Sequence, residues 1–140
     1  MLGYIPIGFA YGVLAQKAGL SIWHALAMSV FVYAGSSQFI AVSLFSAGVS
    51  PLSVIITTFI CNLRHMLMSA ALSPHFKGWS KLEQAVFAYE LTDESFGVHT
   101  LSFKEEDPGK PEIYAVNIIA QVSWVLGSWL GCTMGGLIPT

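Results

Sequence analysis

Apolar residues run along this chain in blocks far longer than an amphipathic helix needs, and short polar interruptions separate them. The blocks cover about residues 2–16, 22–47, 51–72, 82–101 and 113–137. All but the first, which has only about 15 residues, reach the ~20 that cross a ~30 Å hydrocarbon core as a helix. Gly19 and Gly78 sit in the short connections, Pro51 takes a favoured first helical position, and Pro108-Gly109 marks a turn. The pattern predicts an all-α membrane protein, a polytopic bundle of about five transmembrane helices forming one domain over residues 1–140. The second block contains Gly35-Ser36-Ser37-Gln38, which predicts an interruption near Gly35–Gln38. Gly8 and Gly12 in the first block, and Gly127, Gly131 and Gly135 in the fifth, fall at four-residue spacing and predict close helix approach.

Charge strengthens this reading. Six Lys or Arg and eight Asp or Glu are spread over 140 residues, 10% of the chain, against roughly 25% in a soluble domain. Residues 18–63 and 113–140 contain no Asp, Glu, Lys or Arg at all. Such stretches cannot coat a water-facing surface, and a net charge of −2 leaves no basic footprint for nucleic acid. Lys17, Lys77 and Lys81 stand in the first and third loops against Lys104 and Lys110 in the second and fourth, which leans the third loop towards the cytoplasm. Cys61 and Cys132 lie in apolar runs without ligand spacing, so neither a disulfide framework nor a metal site is expected.

The fourth block is costly. Glu90, Asp93 and Glu94 lie in its middle, each worth about 3 kcal/mol against insertion at a helix centre. As one helix, it would place Glu90, Asp93, Glu94 and Gly97 on a single face, turned inward. Three acids so close cannot all stay ionised in a low dielectric, which makes them proton-handling candidates. Arg64 is the only Lys or Arg between Lys17 and Lys77 and lies about 13 residues into the third block. It needs an anion, and Asp93 and Glu94 are the natural partners. Asn62 and His65 share a face beside it. His24, His75 and His99 read as interfacial. Uncoiled backbone near Gly35, with the Ser36, Ser37 and Gln38 side chains, can hold a carboxylate or an ammonium. Small-residue packing is the plainer account of that cluster. No nucleophile elbow, zinc-protease motif, Walker loop or Cys-x-x-Cys is present. A non-enzymatic carrier without cofactor is expected, ahead of an intramembrane enzyme or a structural subunit that uses Arg64 and Asp93/Glu94 as a fixed ion pair.

Four motifs occur in order: Gly3-Tyr4-Ile5-Pro6-Ile7-Gly8-Phe9-Ala10-Tyr11-Gly12, Ala34-Gly35-Ser36-Ser37-Gln38-Phe39, Asn62-Leu63-Arg64-His65 and Leu91-Thr92-Asp93-Glu94-Ser95-Phe96. Together they resemble the AzlC family of branched-chain amino-acid permeases, with Glu90 a departure from the family pattern. The resemblance implies the large subunit of a two-component exporter in the bacterial cytoplasmic membrane, truncated after about the fifth span. It further implies a small AzlD-type membrane subunit as partner, and valine, leucine, isoleucine and sometimes methionine as substrates, with export driven by proton exchange. On that reading Gly35, Ser36, Ser37, Gln38, Phe39, Asn62 and Arg64 are the substrate-binding candidates. His65, Asp93 and Glu94 are the candidates for proton coupling or gating.

Overall fold

The computed structural model of the chain describes residues 3–105 and 107–139. Regular structure among them is helical throughout, in the order α1 (Tyr4–Lys17), α2 (Ile22–Phe31), α3 (Gly35–Ser46), α4 (Pro51–Leu72), α5 (Lys81–Glu90), α6 (Asp93–Glu105) and α7 (Lys110–Met134). Short 3-10 turns follow α4 and α7, over Ser73–Phe76 and Gly135–Leu137. Among the described residues the five apolar blocks carry seven α-helices, because the fourth block is broken as well as the second, where a break was expected.

Local chemistry explains both breaks. Tyr33 has φ of 42°, in the left-handed region, a conformation that costs a non-glycine residue about 1–2 kcal/mol. It closes α2, with the Tyr33 N–H donating to the Met28 carbonyl at 3.1 Å. The non-helical residues are therefore 32–34, and Gly35–Gln38, where the sequence pattern placed the interruption, instead form the first turn of α3 just after it. The second break falls at Leu91-Thr92. There Thr92 and Ser95 cap one another: the Ser95 N–H donates to Thr92 Oγ1 at 3.2 Å, and the Thr92 N–H donates to Ser95 Oγ at 2.8 Å. Reciprocal side-chain capping stops α5 and starts α6. The expected single acidic face is overturned, because Glu90 ends one helix while Asp93 and Glu94 begin the next. α5 itself opens on a capping box between Ser80 and Glu83.

The chain forms two compact units, Met1–Asn62 with Gln121–Thr140, and Leu63–Ala120. In the first, α1 packs on the C-terminal half of α7 through facing glycines. A Cβ on Gly8 would lie 2.9 Å from the Trp124 carbonyl oxygen, and one on Gly127 would lie 2.6 Å from that of Ile5. Gly12 and Gly131 approach the opposing backbone more closely still, at Ser128 and Phe9. The apolar core beside this seam gathers Tyr11, Ala15, Ala25, Tyr33, Val42, Trp124 and Cys132. Tyr11 stacks on Trp124 with ring centroids 6.1 Å apart and meets Phe39 edge-on at 5.9 Å. The second unit has its own core of Leu72, Phe76, Phe87, Leu91 and Ile113.

Polarity is distributed inside out relative to a water-soluble fold. Ser29, Ser37, Gln38, Asn117 and Ser128 are fully buried, whereas Leu52, Ile55, Phe59, Met66 and Leu67 along α4 are each about two-thirds exposed. A chain that buries hydroxyls and amides and turns leucine and phenylalanine outward is built for hydrocarbon surroundings. Pro51–Phe76 and Lys110–Leu137 are each long and apolar enough to cross a bilayer. α2 and α3, at 10 and 12 residues, are each about 15–18 Å long, roughly half the hydrocarbon thickness. The protein is an all-α membrane protein with paired half-length helices.

Candidate functional site

In the first unit the candidate residues sit on the opening turn of α3. No side chain caps this helix start, so its first N–H groups form an electropositive end. Gly35 admits the Trp124 ring, which would come within 3.1 Å of an added Cβ. Ser36 faces outward, while Ser37 and Gln38 are buried. Ser37 Oγ donates to Asn62 Oδ1 at 2.5 Å and ties α3 to α4. The Gln38 amide is engaged at both ends: Oε1 accepts from Trp124 Nε1 at 3.0 Å and Nε2 donates to Ser29 Oγ at 3.1 Å. Ser29 in turn donates to Ser128 Oγ at 2.8 Å, and Ser128 donates to the Trp124 carbonyl at 2.9 Å. A buried polar network of this kind is costly to leave incomplete. Phe39, half-buried, follows it with its ring against Tyr11.

In the second unit Arg64 and Asp93 meet. Arg64 Nη2 lies 3.1 Å from Asp93 Oδ2, with the two side chains 38% and 48% exposed. α4 delivers the guanidinium from its interior, while the Leu91-Thr92 break turns the chain so that α6 presents Asp93 in its first turn. There the helix dipole also favours an acid. Glu94 follows, exposed, and His65 stands half-buried next to Arg64. The pair is open on one side, so either partner is reachable by a competing charge.

The same unit holds a polar cluster that the sequence pattern did not single out. His99, read from the sequence as interfacial, is buried, and its Nε2 lies 2.7 Å from Asn117 Oδ1. The Asn117 amide also neighbours the Glu90 carboxyl. Asn117 was visible as one of only two asparagines in the chain, set in a charge-free apolar run. An amide there is expensive unless it has a partner. At the outer end of α5, Lys110 Nζ lies 2.8 Å from Glu83 Oε1 and 5.0 Å from the Trp79 ring centre. Among the described residues no group of three or more His, Cys, Asp or Glu could hold a metal ion.

The model of the AzlC protein family matches residues 1–138. An uncharacterized membrane protein of Helicobacter pylori is 32% identical over 136 residues, covering 96% of this chain and 59% of its own length. The inner membrane protein YgaZ of Escherichia coli is 30% identical over 138 residues, 96% of this chain and 56% of that protein. The branched-chain amino acid transport protein AzlC of Bacillus subtilis is 23% identical over 137 residues, 97% of this chain and 54% of that protein. The chain thus spans a little over half the length of the curated relatives it matches. No solved structure matches it. With a family match over nearly its whole length, the chain belongs to the AzlC family of membrane transport proteins.

Proposed function

We propose that this chain is part of a secondary transporter that exports branched-chain amino acids from bacteria across the cytoplasmic membrane, in exchange for protons and with a small AzlD-type subunit. The observation that carries the reading is the Arg64–Asp93 ion pair at 3.1 Å, built from two family motifs and left open on one side. A guanidinium in an apolar helix needs an anionic partner, and Asp93 is one whose charge a proton can remove. Protonation of Asp93, assisted by Glu94 and His65, releases Arg64 and permits a change of state. A fully buried, permanently fixed bolt has no need of that opening.

Substrate recognition rests on the first unit. The uncapped start of α3 suits a carboxylate, as the half-helix ends of other carriers do. Ser36 and Ser37 offer hydroxyls, and Gln38 and Asn62 hold the turn in place. Phe39 accepts a branched side chain, whose full burial contributes about 2–3 kcal/mol. The named relative from Bacillus subtilis supports the substrate class.

The test uses the full-length protein with its membrane partner. Cells expressing both are expected to hold less valine, leucine and isoleucine than cells lacking them, and Asp93→Asn is expected to abolish proton-driven efflux while leaving membrane insertion intact. Unchanged valine efflux in D93N rejects the gate. Equal amino-acid pools with and without the wild-type protein reject the substrate class.

A further inference from the structure

A second ionisable group, with partners of its own, plays no part in the Arg64–Asp93 gate. Glu90, the last residue of α5, is 8% exposed, and its Oε2 has no hydrogen-bond partner. Asn117 on α7 is fully buried, and its Nδ2 has no partner either. The other end of the same amide, Oδ1, is held at 2.7 Å by His99 Nε2 of α6, itself 2% exposed. Because Oδ1 can only accept, the imidazole donates from Nε2, and this orients the asparagine with its N–H groups free to face a carboxyl. Phe87, Leu91 and Ile113, each almost fully buried, belong to the apolar core of the same unit.

The ionisable and polar groups presented by the neighbouring elements are few. α6 contributes His99; α7 contributes Asn117 and Tyr114, whose hydroxyl donates to the Glu83 carbonyl at 3.5 Å. His75 follows α4, stacked on Phe103 at 4.3 Å. The lysine nearest along α7, Lys110, is paired with Glu83. Among the described residues neither ion pair, Arg64–Asp93 or Lys110–Glu83, includes Glu90. A buried carboxylate outside such a pair costs several kcal/mol, and a bound proton removes that cost. Too few oxygens converge for a metal cation, which needs about six. A carboxyl with one open oxygen, beside an oriented amide with open N–H groups, can be held in either protonation state.

We infer that Glu90, beside the Asn117 amide that His99 orients, is a proton-binding site that loads and unloads during the working cycle. The inference rests on the transport reading for the cycle but not for the binding of the proton. Apolar carbodiimides react with protonated carboxyls reached from the hydrocarbon phase and so give a readout independent of substrate. The full-length protein in its native membrane is treated with dicyclohexylcarbodiimide at a series of pH values, and adducts are located by peptide mass spectrometry. Glu90 is expected to be labelled in preference to Asp93 and Glu94, with labelling falling as pH rises. Glu90→Gln removes the adduct and, in vesicles, uncouples substrate movement from the pH gradient. Asn117→Leu moves the labelling midpoint by about one pH unit, a tenfold change in proton affinity. His99→Gln, which releases the amide, serves if N117L fails to assemble.

Labelling confined to Asp93 or Glu94, labelling of Glu90 that does not vary with pH, or full proton coupling in E90Q overturns the inference. Wild-type protein that shows pH-dependent labelling but no branched-chain amino-acid transport sinks only the substrate reading. Wild-type protein that transports without such labelling sinks only the proton site.

Discussion

The seam between α1 and α7 is the contact on which a one-carbon change has the largest calculable effect. Adding Cβ at Gly131 brings it against the Phe9 carbonyl and within 2.9 Å of Val13 N; adding it at Gly12 brings it within 2.7 Å of Cys132 N and 2.9 Å of the Gly131 Cα. These are backbone atoms that no rotamer change can move. Ordinary contacts between such atoms are about 3.5–4.0 Å, so the helices must part by roughly 1 Å. A gap of that size forfeits a quarter to a half of the dispersion energy along the facing surfaces. It also strains the hydrogen bond from Cys132 Sγ to the Gly12 carbonyl, 3.3 Å long. Overpacking of this kind costs about 1–3 kcal/mol, so Gly12→Ala and Gly131→Ala are each expected to destabilise by at least that much. Gly97, on α6, is the control, since an added Cβ there meets nothing within 4 Å. Gly97→Ala should stabilise its helix by up to about 1 kcal/mol. Melting of the full-length protein in detergent, followed by loss of the monodisperse peak on size-exclusion chromatography, reads all three. G12A and G131A should melt earlier and G97A no earlier than wild type. The double variant should lose less than the sum, because helices already parted have less left to lose. If G131A melts with wild type, the close approach of α1 and α7 is wrong.

Gln38→Leu keeps the volume of a buried side chain but strips the partner from the Trp124 indole N–H. An expected loss of about 1–3 kcal/mol would appear as a lower melting temperature, and Trp124→Phe in the same background should restore part of it. Ser95→Ala removes the half of the cap at the α5–α6 break that the Thr92 N–H makes to Ser95 Oγ, leaves the Ser95 N–H to Thr92 Oγ1 half in place, and should cost about 1 kcal/mol, read as faster amide exchange at residues 92–96. The double exchange Arg64→Asp with Asp93→Arg should rescue assembly where a single charge reversal fails, yet remain inactive in efflux, because the reversed guanidinium on α6 no longer sits where a proton-bearing acid is needed. Full activity of the swapped protein would make the pair a structural clasp.

Sequence alone determined that the chain lives in a membrane, since two charge-free runs cannot be wetted, and that its spans would be helices, since hydrocarbon offers no other partner for backbone N–H and C=O groups. It also marked the glycine ladders, because small residues every four positions make a groove whatever the neighbour. It pointed to a guanidinium that needed an acid. What it could not decide was where a long apolar block stops being one helix. The break at Leu91-Thr92 depends on a mutual cap between two hydroxyl side chains that are common inside spans, and the break at Tyr33 depends on an aromatic residue held in the left-handed region by the core around it. Periodicity therefore set Glu90, Asp93 and Glu94 on one face, whereas the folded chain buries Glu90 beside Asn117 and presents Asp93 to Arg64. Contacts between His99 and Asn117, or between Gln38, Ser29, Trp124 and Ser128, join residues 9 to 99 positions apart in the chain. Such pairings depend on helix rotation and crossing, set by packing over whole surfaces rather than by any local run of residues.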